Sequence, residues 1–266
     1  MLPILICQYS FIFIICYNYY MQNSVQDILK NNLSKNIINS PLSKTNIIPI
    51  IAIDGPSASG KGTISRKLAE YFNFNYLNSG SLYRLTAYIA KNKNIDFKNE
   101  DEIVKIGANL SPIFLGEKVL IDGIDIWPEI SKEGSGKLAA EISPIIELRE
   151  TLFTFQRSQI KNPGLVAEGR DMTSEVFTDA KIKIYLDATP EVQARRRLKD
   201  EQDKNINTTY EELLESMRKR DYVDKNRKMG ALRIVPDALY IDTSNLNREE
   251  VFEIAKNYCE KILNKK

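Results

Sequence analysis

The sequence predicts an α/β protein: a parallel sheet of about five strands with helices on both faces. Three observations lead there. Short apolar runs at 47–53, 75–78, 164–167, 181–186 and 239–241 alternate with helical segments, and that alternation builds right-handed βαβ crossovers. The first run is too short for a helix and too continuous for a one-sided strand, so it reads as a strand buried on both faces. A Gly-rich turn follows it and opens a helix.

Along the chain, residues 1–20 are apolar and uncharged. No Lys or Arg precedes them, no small-residue cleavage site follows, and Gln8 and Ser10 interrupt a run already short for a bilayer. An over-long start, with Met21 or a later residue as the beginning, is the preferred reading over a signal peptide or membrane anchor. Residues 21–46 are rich in Asn, Ser and Lys and read as a disordered arm, with one weak helical turn at Val25 to Leu33. Residues 1–46 are thus an N-terminal extension, and 47–264 the folded domain. Isoleucines 47, 48, 50, 51 and 53 form the first strand, ending at Asp54, with Pro49 near its start. Lys61 to Phe72 is amphipathic. A helical stretch at 99–110 leads into two apolar runs flanking Gly116 and Glu117, a hairpin pattern. Residues 92–136 therefore read as a small inserted subdomain. Thr189 before Pro190 marks a helix start. Thr208 with Glu211 and Thr209 with Glu212 each fit a capping box. Val251, Phe252, Ala255, Tyr258, Cys259, Ile262 and Leu263 form a helical stripe.

Composition narrows the chemistry. The chain of 266 residues has 37 basic and 35 acidic side chains, net +2, which argues against a general nucleic-acid binder. It contains no histidine, which excludes a Ser-His-Asp triad, a histidine general base and any imidazole zinc site. Three cysteines, Cys7, Cys16 and Cys259, build no disulfide framework. A reducing, cytoplasmic setting is the default.

Four motifs carry function. The first is GPSASGKGT: Gly55, Pro56, Ser57, Ala58, Ser59, Gly60, Lys61, Gly62 and Thr63. It fits Gly-x4-Gly-Lys between a strand and a helix, where backbone N–H groups surround phosphate oxygens and the lysine adds a point charge. The hydroxyl stands one place late, at Thr63 rather than 62. The second is NSGSLYR, Asn78 to Arg84, a strand end with a hydroxyl and an arginine. In open α/β sheets ligands collect at such strand ends. The third is AEGRDM, Ala167 to Met172, where Glu168 ends a strand beside the phosphate loop. The fourth is the charged stretch holding QARRR, with Arg196 and Arg197, and RDYVDKNR. There Arg220, Asp224 and Arg227 fall on one helix face, with Asp221 and Lys225 on the next. Structural alternatives exist: an Arg170–Asp171 ion pair, and solvated pairs of Arg196 with Asp200 and Arg197 with Glu201.

Together these motifs resemble bacterial cytidylate kinases, nucleoside monophosphate kinases of the P-loop class, over about residues 48–264. The resemblance implies a P-loop kinase fold with an inserted monophosphate-binding subdomain (about 92–136) and a short lid (about 196–207). It implies transfer from ATP, with Mg2+, to CMP or dCMP. Gly55 to Thr63 would bind ATP, with Thr63 a ligand of the metal. Ser79, Tyr83, Arg84, Arg149, Arg170, Asp171, Arg220, Asp224 and Arg227 would bind CMP. Ser79 would meet the ribose, Arg84 and Arg170 the phosphate, Asp171 the cytosine amino group, and Arg149 the base. Lys61, Arg170, Arg196 and Arg197 would act in catalysis. The chain departs from the family at three places: Asn78 and Glu168 stand where Asp is common, and Ala140 where a serine usually precedes Arg149 by nine residues. A monomer acting on small nucleotides, without nucleic acid or membrane partners, is the expectation.

Other readings remain at this stage. A kinase with another acceptor, such as UMP, is one; a non-kinase P-loop ATPase, membrane-attached or nucleic-acid-binding, is another. A switch GTPase is excluded, since no glycine has Asp three places before it and no Asn-Lys-x-Asp occurs.

Overall fold

The computed structural model describes residues 48–132, 134–202 and 208–264. The expectations for residues 1–46, the turn at Val25 to Leu33 included, and for 203–207 of the lid lie outside them. Strand β1, Ile50–Asp54, is buried at every position. It pairs in parallel with β6 (Leu165–Gly169) on one side and β7 (Ile182–Asp187) on the other. β2 (Asn75–Asn78) lies beyond β6, and β8 (Leu239–Asp242) beyond β7. The order is β2-β6-β1-β7-β8, with every pair parallel.

The uninterrupted apolar run of β1 has a simple cause. Ile51 and Ile53 face one layer, with Ile64 and Leu68 of α1 (Lys61–Phe72) and Val251, Ala255 and Cys259 of α9 (Arg248–Leu263). Ile50 and Ala52 face the other, with Leu82 and Leu85 of α2 (Ser79–Asn92) and Leu148 and Leu152 of α6 (Ile146–Ser158). A strand covered on both faces buries both sets of its alternating side chains.

Between α2 and α6 the chain forms α3 (Glu100–Ala108), then β3 (Ile113–Leu115), β4 (Lys118–Ile121) and β5 (Ile124–Asp125), then α4 (Trp127–Ile130) and α5 (Ser135–Ile142). β3 and β4 are the antiparallel hairpin, turning at Gly116 and Glu117. The two-residue β5 adds a third strand, too short to leave a period in the sequence. After β7 come α7 (Pro190–Gln202) and α8 (Tyr210–Asn226). Of the two overlapping capping boxes at the head of α8, the structure uses Thr209 with Glu212.

Because the five strands are parallel, the segments following β1, β2 and β6 leave the sheet at one edge. Two of them are fixed by local chemistry. The Asn78 side chain accepts from the Ser81 N–H at 3.1 Å and caps α2. The fully buried Asp54 accepts from the N–H groups of Met172 (2.9 Å) and Thr173 (2.7 Å) and from the Thr173 hydroxyl (2.6 Å). Asp54 thereby ties the end of β1 to the single π-helical turn Met172–Val176.

Candidate functional site

Gly60 in the left-handed conformation turns the loop after β1 into α1, and Lys61 is the helix's first residue. The Lys61 ammonium folds back to donate to the Pro56 carbonyl at 2.6 Å, and the Ser59 hydroxyl donates to the same oxygen at 3.0 Å. Burial, reinforced by the positive charge of Arg170, pulls the Lys61 pKa down to about 7, against the opposing pull of Glu168 and Asp54. Glu168 reaches across from β6. Its Oε1 accepts from the Tyr76 hydroxyl at 2.6 Å and would stand 3.2 Å from a Cβ at position 62. Arg66 Nη1 would be equally close. A side chain at 62 would crowd both, so glycine separates Lys61 from Thr63.

Beside the loop opens a cavity lined from several elements. Ser57, Ala58 and Lys61 come from the loop, and Ser79, Tyr83 and Arg84 from the head of α2. Arg149 comes from α6, Arg170 and Asp171 from the end of β6, and Arg220, Asp224 and Arg227 from α8. All nine residues assigned to CMP by resemblance border this one cavity.

Its electrostatics are strongly positive on one side. Burial, with Arg197 and Arg170 nearby, lowers the Arg84 pKa to about 10. Burial, with Arg170 and Arg84 nearby, lowers that of Arg220 to about 10. Four guanidinium groups therefore repel one another in a confined space. Asp224 offsets part of this charge: Arg170 Nε donates to it at 2.7 Å, and Arg227 lies 3.7 Å away. Burial works against the Arg170 charge, but Asp224 outweighs it and holds the pKa up. Such a cluster is stabilised by an anion that accepts several charge-assisted hydrogen bonds.

The opposite side is different. Arg149 donates to Asp171 in a buried ion pair. The Arg149 guanidinium also lies over the Tyr83 ring, 5.9 Å from its centre, and donates to the Ser143 carbonyl at 3.3 Å. Burial pushes the Asp171 carboxyl up to about 6, although Arg149 opposes the rise. The proposed structural pair of Arg170 with Asp171 does not form. Arg170 goes to Asp224 and Asp171 to Arg149, because the two side chains leave the strand end toward different helices.

The phosphate loop has a second flank. Ala58, Ser59, Gly60 and Thr63 border another cavity with Arg196, Thr243 and Asn247. Arg196 donates to the Ala58 carbonyl (3.2 Å) and to the hydroxyl (2.9 Å) and carbonyl (2.6 Å) of Thr243. It does not pair with Asp200. Arg197 does pair with Glu201, at 2.8 Å. Asp221 takes a hydrogen bond from Gln193 at 3.1 Å in place of an ion pair with Lys225. Gly55, Pro56 and Gly62 border neither cavity, and Thr63 borders only the second.

Several residues at the site carry no motif. Gly230, at φ +64°, lies directly over the Arg149–Asp171 pair. A Cβ there would be 1.6 Å from Arg149 Nη2 and 2.7 Å from Asp171 Oδ2. The Gly230 N–H donates to Glu175 at 2.8 Å, which holds the loop down. Trp127 and Ser143 line the main cavity, and Tyr76 holds Glu168. A glycine after the RDYVDKNR stretch was the one available signal for Gly230, and glycine alone does not say what it approaches.

Comparison with known proteins agrees with this geometry. A family model described as cytidylate kinase matches residues 51–261. A protein named cytidylate kinase from Proteus mirabilis is 40% identical over 222 residues, covering 82% of this chain and 99% of that protein. Those of the same name from Photorhabdus laumondii and Nitrosomonas eutropha are 41% and 42% identical, over 82% and 78% of this chain and 97% and 93% of theirs. A match of this length, at this identity, along nearly the whole of each relative, leaves one conclusion: the chain belongs to the cytidylate kinase family.

Proposed function

We propose that this chain transfers the γ-phosphoryl group of ATP to the phosphate of CMP or dCMP, giving ADP and CDP or dCDP. The observation that carries it is the arrangement of one cavity. Arg84, Arg170 and Arg220 gather on the side next to Lys61, and a buried carboxylate, Asp171, lies with Arg149 on the other. The first side suits a phosphate and the second a base that carries an amino group. A carboxylate accepts from the cytosine amine but repels the O4 of uracil.

In this reading a phosphate oxygen of CMP attacks the γ-phosphorus, and the bond to the β,γ-bridging oxygen breaks. A nucleoside monophosphate is mostly a dianion at neutral pH, so no general base is needed. Catalysis reduces to alignment and charge neutralisation. Lys61 and the loop amides hold the donor phosphates, and Arg84, Arg170, Arg220 and Arg227 the acceptor. Ser79, Tyr83 and Asp224 position the ribose. The cavity on the far flank of the loop, bordered by Arg196 and Thr243, takes the rest of ATP. Arg197, whose charge bears on Arg84 and Arg220, adds to the field over the transferred group. Residues 92–136 act as the monophosphate-binding insert and 196–207 as the lid.

The residues present fit a magnesium ion that arrives with ATP. Among the described residues no three Asp, Glu or Cys side chains gather as a cage. Hydroxyl oxygens at the loop's end, Thr63 foremost, are hard donors of the kind Mg2+ takes beside phosphate oxygens. Bound there, the ion neutralises phosphate charge. The same reading takes the chain as a cytoplasmic monomer that acts on free nucleotides. No helix among the described residues is long and apolar enough to cross a membrane.

Incubation with ATP labelled at the γ-phosphate and with CMP tests the reaction. Label in CDP supports it. Label only in inorganic phosphate would make the chain an ATPase.

A further inference from the structure

We infer that Ser143 is a base-reading residue, accepting through its hydroxyl from the cytosine 4-amino group. This rests on CMP as the acceptor. The amine carries two hydrogens, and in a closed cavity each needs an acceptor, since a buried donor left unpaired loses its hydration without return. Asp171 takes one. Its neighbour Arg149 has only donors and cannot take the other.

The wall contributed by the end of α5 adjoins Arg149 and offers a second acceptor. There Ala139 and Ala140 offer methyl groups, and Ser143 alone offers an oxygen. Ser143 is held firmly. Its N–H donates to Ala139 at 3.0 Å, and its carbonyl accepts from Arg149 at 3.3 Å. Its hydroxyl donates to the Ala140 carbonyl at 3.0 Å. That last bond fixes the hydroxyl hydrogen away from a ligand and leaves the oxygen lone pairs as acceptors. Ser143 and Asp171 are two acceptor-bearing residues that both contact the donor Arg149, and two acceptors with a donor complement a cytosine edge. Uracil reverses the requirement, because its O4 needs a donor. To serve it Ser143 must break its bond to Ala140.

The test is a cycle of two acceptors and two proteins. CMP and its analogue lacking the 4-amino group are compared with the parent and with Ser143→Ala, at saturating ATP. Removing the amine should cost the parent on the order of a hundredfold in kcat/KM, and Ser143→Ala about ten times less, because one of its two acceptors is already gone. The CMP KM of Ser143→Ala should rise about tenfold, while its ATP KM moves less than twofold. A purely structural role would lower rates with both acceptors equally. An equal cost of removing the amine in both proteins, measured as kcat/KM or as binding of the two acceptors, overturns the inference. If the parent phosphorylates neither CMP nor dCMP, the acceptor reading fails first and this one with it. If the parent uses CMP and only the cycle is flat, the Ser143 role alone is wrong.

Discussion

Arg170 Nε donates to Asp224 across 2.7 Å, joining the end of β6 to the last turn of α8. Both side chains are largely buried, and Arg84 and Arg220 crowd the same space. Asp224 is thus the counter-ion that lets a cluster of arginines stay charged and aimed. Asp224→Ala should cost about 3 kcal/mol of stability, since it leaves a buried guanidinium unpaired. It should also raise the CMP KM at least about tenfold. Urea unfolding and steady-state kinetics check the two effects separately.

Gly230→Ala should act on the base side. Its Cβ would fall within 1.6 Å of Arg149 Nη2, so the loop or the arginine must move. Left-handed backbone adds a further cost for any residue with a side chain. We expect the CMP KM to rise about tenfold or more and the ATP KM to change little, since the clash lies at the base pair of residues and not at the phosphate loop. An unchanged CMP KM would mean that the loop does not press on the pair.

Lys61 supplies a pH-dependent prediction. Its pKa is lowered from 10.5 to about 7, first by burial and then by Arg170. Between these values the folded chain binds fewer protons than the unfolded chain, so the penalty for burying this charge is full below about pH 7 and lifts as pH rises across that window. Phosphate at the loop restores the charge. At pH 8 ATP binding should therefore take up protons. Calorimetry in buffers of different ionisation enthalpy measures it. Lys61→Met should abolish the uptake and phosphoryl transfer together.

Asp54 makes a purely structural prediction. Asp54→Ala would leave two buried N–H groups and a buried hydroxyl without their acceptor. The loss should be about 2–4 kcal/mol. Because Met172 and Thr173 follow Asp171 directly, activity with CMP should fall as well. Thermal unfolding and rates measured well below the melting point separate the two.

The three central strands were legible because each is a short apolar run buried on both faces, and the half-exposed edge strands β2 and β8 because their short runs alternate with helical segments. Their order was not, since nothing in a run such as Leu165–Gly169 says that it lies between β1 and β2. The phosphate loop was legible because strand, glycines and Lys61 stand next to one another in sequence. The opposite holds for Gly230 over Arg149, Tyr76 with Glu168, and Arg196 with Thr243. Each joins residues far apart in the chain, and no local period marks the meeting. Asn78 shows a third case. Its lost charge stands out in sequence, while its use as the α2 cap depends on strand and helix meeting at that residue.

The most direct measurement is ADP release with ATP and a panel of CMP, dCMP, UMP and AMP. Reading of the 4-amino group by Asp171 predicts a kcat/KM for CMP or dCMP at least about tenfold above that for UMP, with AMP lower still. Equal values for CMP and UMP, or the highest value for AMP, would contradict it.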